Sequence, residues 1–345
     1  LHRRRHSFPT RRSSDLIGTS SIAHAFATAA KASGQFEIKA VYSRNQFTAQ
    51  SFGEGYGADI FVTDLEKFTA LEEVDAIYIA SPNNLHFQQA MSAIANGKHL
   101  IVEKPIFSNT KEWEAAFSAA KANNVFLFEA ARHLHEPNFE LVRNEIAKLG
   151  EIDGANFTYA KYSSRYDQVL AGEEPNIFSL AFSGGALADL GVYLLYAAIA
   201  WFGVPDDVDY ADKKIQTGVD GAGTMLLKYP YFSVTLHTSK IYNSFADSEI
   251  YSGKKTLLLD GVNLIQSVEL VDGETDERYQ LAEKATGHFM DDEVRAFARV
   301  LNDPENPDTI EDYERWTQIS RDVNRTMEAL RKKAGIVYPA DLDEA

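Results

Sequence analysis

The stretch Lys98-His99-Leu100-Ile101-Val102-Glu103-Lys104-Pro105 places a lysine directly after a short apolar run. Such a run is typical of a buried parallel strand, and ligands of open parallel sheets bind in the crevice beyond the carboxyl ends of the strands. This position favours a Lys104 whose amine acts on a bound ligand. The alternative is a lysine that only extends its apolar stem out of a strand end into water. The triplet Glu103-Lys104-Pro105 alone does not decide between the two.

Short apolar runs alternate with helical patterns on both sides of this stretch, which is typical of βαβ units. The pattern predicts an α/β Rossmann domain, a doubly wound parallel sheet of six strands, over residues 17–130. Beyond Arg132 the chain changes to strands separated by turn pairs such as Tyr229-Pro230. Residues 131–345 are therefore predicted to form an α+β partner domain with an antiparallel or mixed sheet.

Composition excludes several classes of protein. The chain has 345 residues, a net charge of −16 and no cysteine, so disulfides and thiolate metal sites are excluded. The acidic balance argues against a nucleic-acid partner, because phosphate binding needs clustered Lys and Arg. No run approaches the roughly 18 apolar residues of a membrane span. We expect a cytoplasmic protein without a membrane partner.

Residues 1–16 differ in character from the rest. They contain five arginines and one acid, leaving 29 basic and 49 acidic residues, a charge of −20, in the remainder. A transit peptide or a twin-arginine signal is an alternative, but no apolar region follows Arg11-Arg12. We interpret the segment as foreign, translated sequencing adapter that cuts short the first strand and leaves only a stub at Leu16-Ile17.

Gly18-Thr19-Ser20-Ser21-Ile22-Ala23 lies between that strand stub and an alanine-rich helix. A glycine turn at this place lets backbone N–H groups and the helix dipole meet a pyrophosphate. Ser20 stands where the G-x-G-x-x-G/A pattern has its second glycine, so the motif is degenerate, and an ordinary strand-to-helix turn remains the alternative. The succession of βα units favours a dinucleotide.

Two further turns are candidates for the cofactor site. Ser43-Arg44 follows the second strand, where NAD-specific folds carry a carboxylate and an arginine accommodates a 2′-phosphate. This predicts NADP, with NAD possible. Ser81-Pro82-Asn83 ends the fourth strand, and His86 follows at a helix start. The alternatives are a solvated Arg44, and a capping turn with a surface His86.

The second domain supplies Gly184-Gly185-Ala186-Leu187-Ala188-Asp189-Leu190-Gly191-Val192-Tyr193. Asp189 and Tyr193 are four residues apart and share one face of a helix. A carboxylate and a phenol on an otherwise apolar helix are costly unless they have partners. A helix cap and a core tyrosine are the alternative.

Taken together, Gly18 to Ala23, Ser81 to His86, Glu103-Lys104-Pro105 and Gly184 to Tyr193 resemble the Gfo/Idh/MocA family of oxidoreductases over residues 16–335. The resemblance implies a Rossmann domain and, over residues 131–345, a domain for substrate binding and oligomerisation with a large open, mostly antiparallel sheet that often forms a dimer interface. It also implies a Lys–Pro bond, frequently cis, beside the nicotinamide. Many members have His in place of Tyr193. The tyrosine form is similar to the branch with glucose–fructose oxidoreductase, NADP-dependent xylose dehydrogenase and dimeric dihydrodiol dehydrogenase.

The resemblance implies an NAD(P)-dependent dehydrogenase or reductase that acts on CH–OH groups of a sugar, polyol or cyclic diol. A phenol has an ordinary pKa of about 10 and needs a neighbouring cation for proton transfer near neutral pH. We assign Tyr193 as the general acid/base, Lys104 as the cation that tunes it and polarises the substrate oxygen, and Asp189 as a hydroxyl acceptor or orienting group. The candidate cofactor-binding residues are Gly18, Thr19, Ser20, Ser21, Ile22, Ser43, Arg44, Ser81, Pro82, Asn83, His86, Glu103 and Lys104.

Two alternatives from other classes stay open. A non-enzymatic NADP-binding sensor is compatible with the fold, although the retention of Lys104, Asp189 and Tyr193 argues against it. A metal-dependent hydrolase would use His133, His135 and His237, but their spacing matches no ligand motif, so we expect no metal. The polar loop 163–176, with Tyr162, Arg165 and Tyr166, is expected to line the sugar side, and a homodimer or higher homo-oligomer is expected through the open sheet.

Overall fold

The computed structural model describes residues 12–282 and 284–342, and only the backbone of residues 12–14. Within these residues a first sheet of seven strands is parallel throughout, in the order β4-β3-β1-β5-β6-β7 with β2 also paired to β1. Its strands are β1 (Arg12–Ile17), β2 (Phe36–Glu37), β3 (Ala40–Tyr42), β4 (Ile60–Val62), β5 (Ala76–Ile79), β6 (His99–Glu103) and β7 (Leu127–Ala130). The predicted Rossmann domain is confirmed.

The first strand is longer than predicted. β1 begins at Arg12 rather than at the stub Leu16-Ile17, and it lies in the sheet between β3 and β5. Asp15 is buried, and its carboxylate accepts hydrogen bonds from the backbone N–H groups of Lys39 and Ala40. The prediction that the strand is cut short at residue 16 is therefore wrong for residues 12–15, because backbone pairing with two neighbours needs no apolar side chain. The interpretation of residues 1–11 lies outside the described residues.

The second sheet has eight described strands in the order β15-β14-β13-β12-β8-β11-β10-β9. All neighbours are antiparallel except β8 and β11, so the predicted large, mostly antiparallel sheet is confirmed. Its strands are β8 (Gly154–Ala160), β9 (Asp207–Lys214), β10 (Asp220–Lys228), β11 (Ser233–Ser239), β12 (Ser248–Ser252), β13 (Lys255–Leu259), β14 (Val268–Asp272) and β15 (Glu277–Gln280).

Helices cover both faces of the first sheet and one face of the second. In the described part of the chain they are α1 (Ser21–Ser33), α2 (Gln46–Gly53), α3 (Leu65–Thr69), α4 (His86–Ala95), α5 (Thr110–Ala122), α6 (Pro137–Leu149), α7 (Tyr166–Leu170), α8 (Val192–Phe202), α9 (Asp291–Asn302) and α10 (Pro307–Lys333). A π-helical turn, Leu187–Gly191, leads directly into α8.

The two parts of the chain share their cores. Val294 and Phe297 of α9 are buried in the same apolar cluster as Phe26 of α1 and Tyr78 of β5. The buried Arg331 of α10 donates to the carbonyl oxygen of Ser108 at 3.0 Å. The helices α9 and α10 follow the second domain in the sequence, but they pack against the first domain. They therefore cross the division predicted at residue 130.

One stretch, Leu180–Phe202, is long and apolar enough to cross a membrane, judged by length and composition. In the fold, 72% of its most apolar window is buried. A buried core helix meets the same criterion, so the stretch is weak evidence for a span. Here it packs between the second sheet and α10, where Leu194, Leu195 and Tyr196 belong to the main apolar cluster of that domain.

Candidate active site

Lys104 lies at the carboxyl end of β6, between the parallel neighbours β5 and β7. Its peptide bond to Pro105 is cis. The side chain is only 14% exposed and crosses to the second domain. There its ammonium donates to the backbone carbonyl of Asp189 at 2.9 Å and to Asp189 Oδ1 at 3.1 Å. The strand end predicted to face a ligand thus meets the predicted second-domain motif.

Asp189 and Tyr193 are brought to this point by an irregular helix. Asp189 lies in the π-helical turn Leu187–Gly191, and Tyr193 is the second residue of α8. Single π-helical turns inserted in helices frequently mark functional sites, since they re-aim side chains. The Tyr193 ring centroid lies 4.8 Å from Lys104 Nζ. Lys104, Asp189 and Tyr193, predicted to act together, are therefore in mutual reach.

A second lysine, missed in the sequence, completes the cluster. Lys240 follows β11, its side chain is 1% exposed, and its ammonium lies 2.8 Å from Asp189 Oδ2. It also donates to the Ile177 carbonyl at 2.9 Å and lies 4.4 Å from the Phe178 ring centroid. Asp189 is therefore shared by two ammonium groups, one on each carboxylate oxygen.

The charges of the cluster are strongly coupled. Burial alone would raise the pKa of Asp189, but Lys240 and Lys104 outweigh it and hold that pKa below its usual range. Burial alone would lower the pKa of Lys104, but Tyr193, Asp189 and Glu103 outweigh it, so that pKa is raised. Burial lowers the pKa of Lys240, and Asp189 offsets this only in part. At neutral pH the site presents an ionised Asp189 and a charged Lys104.

Further side chains surround the Tyr193 ring. The Arg132 guanidinium carbon lies 5.8 Å from the Tyr193 ring centroid and 5.0 Å from that of Phe289, while its Nη1 donates to Glu136 at 2.9 Å. The ring centroids of His133 and Tyr159 lie 4.9 and 5.7 Å from that of Tyr193. Sequence reasoning missed Arg132 and Tyr159, because neither belongs to a motif, and considered His133 only as a metal ligand.

The predicted phosphate turn has the expected close contact. Gly18 has φ +108°, and a Cβ there would lie 2.7 Å from the Ala80 carbonyl oxygen, so only glycine fits without a shift. Ser20 is the N-cap of α1 and accepts from the N–H of Ala23 at 3.5 Å. Ser20 in the degenerate motif therefore caps the N-terminus of α1. Thr19, Ser21 and Ile22 line the same turn and are at least partly exposed.

Ser43 and Arg44 follow β3 at the same edge of the sheet. The N–H of Ser43 donates to the Val62 carbonyl at 3.2 Å, which ties the turn to β4. Arg44 is exposed, and Asn45 caps α2 through the N–H of Thr48 at 3.1 Å. An arginine held at the edge of the crevice by these two anchors remains available to an anionic ligand group.

The turn after β5 has a more structural character than predicted. His86 is fully buried; its Nδ1 lies 3.1 Å from the Ile106 carbonyl oxygen and its Nε2 lies 2.9 Å from that of Ser81. It therefore joins the two loops, and its place in the cofactor site stays a prediction. Ser81 Oγ donates to Gln89 at 2.6 Å, and Asn83 Nδ2 donates to a carbonyl of the second domain at 3.0 Å. Pro82 precedes a short 3-10 turn.

Glu103 also lies behind the site. Its carboxylate is buried and accepts from the Tyr78 hydroxyl and, at 3.2 Å, from the N–H of Lys104. Burial raises the pKa of Glu103, and the nearby Lys104 opposes this rise. Glu103 thus supports the Lys104 turn, and its contact with a cofactor stays a prediction.

The three histidines considered as metal ligands serve separate environments. His133 packs on Tyr193, His135 packs edge-on against Trp316 at 4.6 Å, and His237 contacts Thr224 and Tyr242 on the second sheet. Among the described residues, no group of three or more His, Cys, Asp and Glu side chains is arranged to hold a metal ion.

The loop 163–176 contains α7 and connects to the site indirectly. Tyr162 donates to Asp167 at 2.6 Å, and the Tyr166 ring lies 5.7 Å from that of Phe178. Phe178 in turn lies against Lys240. Arg165 is exposed. The expectation that these residues line the sugar side stays a prediction.

Comparison with known proteins gives consistent matches over nearly the whole chain. Residues 15–131 match GFO_IDH_MocA, an oxidoreductase family with an NAD-binding Rossmann fold. The chain is 37% identical, over 94% of its length and 98% of the relative, to scyllo-inositol 2-dehydrogenase (NADP(+)) IolU of Bacillus subtilis. It is 26% identical, over 95% and 99%, to D-xylose 1-dehydrogenase (NADP(+)) 2 of Haloferax volcanii.

A solved structure shows the same fold. KijD10, a 3-ketoreductase from Actinomadura kijaniata in complex with NADP and TDP-benzene, superposes with a TM-score of 0.82 at 23% identity, covering 94% of this chain and 98% of that one. At this identity the likeness concerns the fold alone.

Proposed function

Because this chain belongs to the GFO_IDH_MocA family of oxidoreductases, we propose that it is an NADP(H)-dependent enzyme for hydride transfer at a CH–OH or carbonyl carbon of a sugar, polyol or cyclic diol. The observation that carries this proposal is the meeting of Lys104 from the first domain with Asp189 and Tyr193 from the second, at the carboxyl edge of the parallel sheet. Ligands of such sheets bind at this edge.

Tyr193 is the proton donor and acceptor for the substrate oxygen. A phenolic hydroxyl can do both, and the Lys104 ammonium beside the ring favours the phenolate when the substrate hydroxyl loses its proton. Lys104 also donates to the same substrate oxygen and stabilises negative charge on it. Asp189 fixes the direction of the Lys104 ammonium through two hydrogen bonds, at 2.9 and 3.1 Å.

The cofactor half of the crevice fits a dinucleotide with a 2′-phosphate. NADP, when bound, supplies the hydride acceptor or donor. Gly18 allows the turn to pack closely against the Ala80 carbonyl at the end of β5, and the first N–H groups of α1 point at the turn where a pyrophosphate would bind. Arg44, exposed at the end of β3, would pair with a 2′-phosphate, and Ser43 would add a hydroxyl donor.

The substrate half suits a neutral, polyhydroxylated ring. Lys104 and Arg132 each pair with a carboxylate, Asp189 and Glu136, so the described part of the site offers hydrogen-bonding groups and no unpaired Arg that would call for an anionic substrate. Phe289, whose ring centroid lies 5.0 Å from the Arg132 guanidinium carbon, offers an apolar surface to the face of a ring. The two most informative relatives act, by name, on scyllo-inositol and D-xylose.

The proposal is tested by the reduction of NADP+ and NAD+ with a panel of inositols, aldoses and cyclic diols. We expect turnover with at least one cyclic polyol or aldose and a preference for NADP+. Lys104→Ala should lose most of this turnover, and full activity of that variant would refute the assigned role. Tight NADPH binding without turnover on the whole panel would instead favour a sensor protein.

We also propose that the open face of the second sheet is a homodimer contact, as the family resemblance implies. Its support here is a sheet that α6, α8 and α10 cover on one face. Light scattering at micromolar concentration tests it, because a monomeric mass would contradict the proposal.

A further inference from the structure

We propose that Lys240 is a positioning residue for catalysis, which shares Asp189 with Lys104 and so keeps Lys104 from being fully neutralised. The inference rests on the proposed function of Lys104, Asp189 and Tyr193, and it adds a residue that no motif of the sequence contains. Lys240 does not contact the reacting atoms; it acts through Asp189.

The geometry of Asp189 supports this sharing. Lys104 Nζ lies 3.1 Å from Oδ1 and Lys240 Nζ lies 2.8 Å from Oδ2, so each carboxylate oxygen has its own ammonium partner. One negative charge thus faces two positive charges. An excess of positive charge remains for the substrate oxygen, which a simple pair of Lys104 and Asp189 would lack.

Burial of Lys240 points to function more than to stability. Taking an ammonium out of water costs several kcal/mol before pairing is counted, and the Lys240 side chain is 1% exposed. Another buried lysine, Lys98, donates only to backbone carbonyls, those of Leu71 and Val74, at a helix end of the first domain. Lys240 instead pairs with a site carboxylate already held by a second ammonium.

Lys240 also connects the site to the segment that follows loop 163–176. Its ammonium donates to the Ile177 carbonyl and lies over the Phe178 ring. Phe178 and Val169 of α7 share a small apolar cluster with Val219. The position of Asp189 is therefore fixed relative to the loop that is predicted to line the substrate.

The charged and titratable groups that face Asp189 and Lys240 come from several elements. They are Lys104 and Glu103 at the end of β6, Tyr193 of α8, Tyr159 of β8 and Asp220 of β10. Loss of Lys240 would leave Lys104 as the cation nearest to the carboxylate. Asp189 would then neutralise Lys104 more completely, and Lys104 would stabilise an alkoxide or phenolate less well.

The test compares K240M and K240R with wild type, D189N and the double variant K240M/D189N in the full chain. Lys98→Met is the matched control for loss of a buried ammonium. For K240M we expect kcat to fall at least about tenfold with a smaller change in KM, and the ascending limb of the pH profile for oxidation to move up by about one unit. K240R should recover most of both quantities, and Lys98→Met should leave the pH profile in place.

The double variant tests whether Lys240 acts through Asp189. In the D189N background, K240M should lower kcat by less than about threefold more. Multiplicative effects of the two substitutions, or a K240M enzyme with the wild-type kcat and pH profile, would overturn the proposal.

A second readout does not need turnover. The equilibrium constants of unfolding in urea should show a coupling of at least about tenfold between K240M and D189N, because Lys240 attracts Asp189 in wild type but only repels Lys104 once residue 189 is neutral. If wild type turned over no substrate of the panel, the proposed function would fail while this coupling still reported on the shared carboxylate. Additive unfolding effects would overturn the sharing itself.

Discussion

Asp189→Asn removes the carboxylate that lies between the ammonium groups of Lys104 and Lys240, and its effect can be worked out from the structure. Breaking a buried ion pair by removing one partner typically costs 3–5 kcal/mol. Asp189 is 31% exposed, so water screens part of the loss. We therefore expect about 2–3 kcal/mol of lost unfolding free energy at pH 7, measured by urea denaturation with circular dichroism.

The pH dependence gives this prediction its sign. The folded-state pKa of Asp189 is lowered from the ordinary 3.8, so its stabilising effect is fully present above that value and is lost as pH falls through the lower, folded-state pKa. The difference between wild type and variant should be constant from pH 5 to 8 and shrink below about pH 4. In the variant, stability should rise as the pH approaches the ordinary lysine pKa of 10.5 from below, because the pKa of the buried Lys240 is already lowered and loss of its proton relieves the repulsion from Lys104.

Asp220→Asn is the matched control, since Asp220 is also buried but burial raises its pKa to about 6. Ionised Asp220 lowers stability at pH 7 because its folded-state pKa is raised, and the relief of this cost in Asp220→Asn offsets the hydrogen bonds that the carboxylate accepts from the Leu187 N–H and the Tyr210 hydroxyl. Asp220→Asn should therefore not show the loss expected for D189N. A D189N protein within about 0.5 kcal/mol of wild type at pH 7, with no rise in stability at alkaline pH, would refute the shared ion pair.

Three further changes have distinct expected results. Arg44→Asp should lower kcat/KM for NADP+ at least about tenfold while that for NAD+ falls less or rises, because a charge-assisted hydrogen bond is worth about 1.5–3 kcal/mol. Steady-state kinetics with both cofactors measures this change. An unchanged cofactor preference would contradict the role of Arg44. Glu129→Gln should flatten the pH dependence of stability. Burial raises the folded-state pKa of Glu129 from 4.5 to about 7, so wild type loses stability as pH rises through that interval. In urea unfolding, the stability of the variant relative to wild type should therefore be higher at pH 8 than at pH 5 by on the order of 1–3 kcal/mol. Equal pH dependence of the two proteins would exclude this. Gly18→Ala places a Cβ 2.7 Å from the Ala80 carbonyl oxygen at φ +108°, which should cost about 1–3 kcal/mol and weaken NADPH binding in a fluorescence titration; wild-type stability and affinity would show that the turn tolerates a side chain.

Local patterns in the sequence were enough to predict the two kinds of sheet, and they single out Lys104, Asp189 and Tyr193, whose role as the site stays a prediction. The apolar run before Lys104 and the four-residue spacing of Asp189 and Tyr193 both report directly on strand ends and helix faces. The order of the strands and the contact between Lys104 and Asp189 agree with those patterns.

Other features depend on distant parts of the chain, and local patterns do not contain them. Lys240 lies 51 residues beyond Asp189 and follows a strand whose neighbours decide where it ends. The position of His86 at a helix start is also that of a surface residue, but in the fold its ring is buried between the loops at Ser81 and Ile106. Arg12 to Asp15 read as polar and foreign, whereas backbone pairing alone places them in the first strand.

Local patterns also do not predict that the last helices of the chain pack against the first domain. The partner of an apolar helix face is fixed only by tertiary packing, which no local pattern contains. Phe297 of α9 stacks on Phe128 of β7 at 4.6 Å, so the end of the chain completes the core that its first third began.

The most direct test of the central claim is the kcat of Tyr193→Phe for NADP+ reduction with the best substrate of the inositol, aldose and diol panel. General acid/base catalysis is typically worth 10²–10⁴ in rate, so we expect kcat at least about 100-fold below wild type, with unchanged NADPH affinity. A Tyr193→Phe enzyme that keeps more than about half of the wild-type kcat would contradict the assignment of Tyr193, and with it the proposed mechanism.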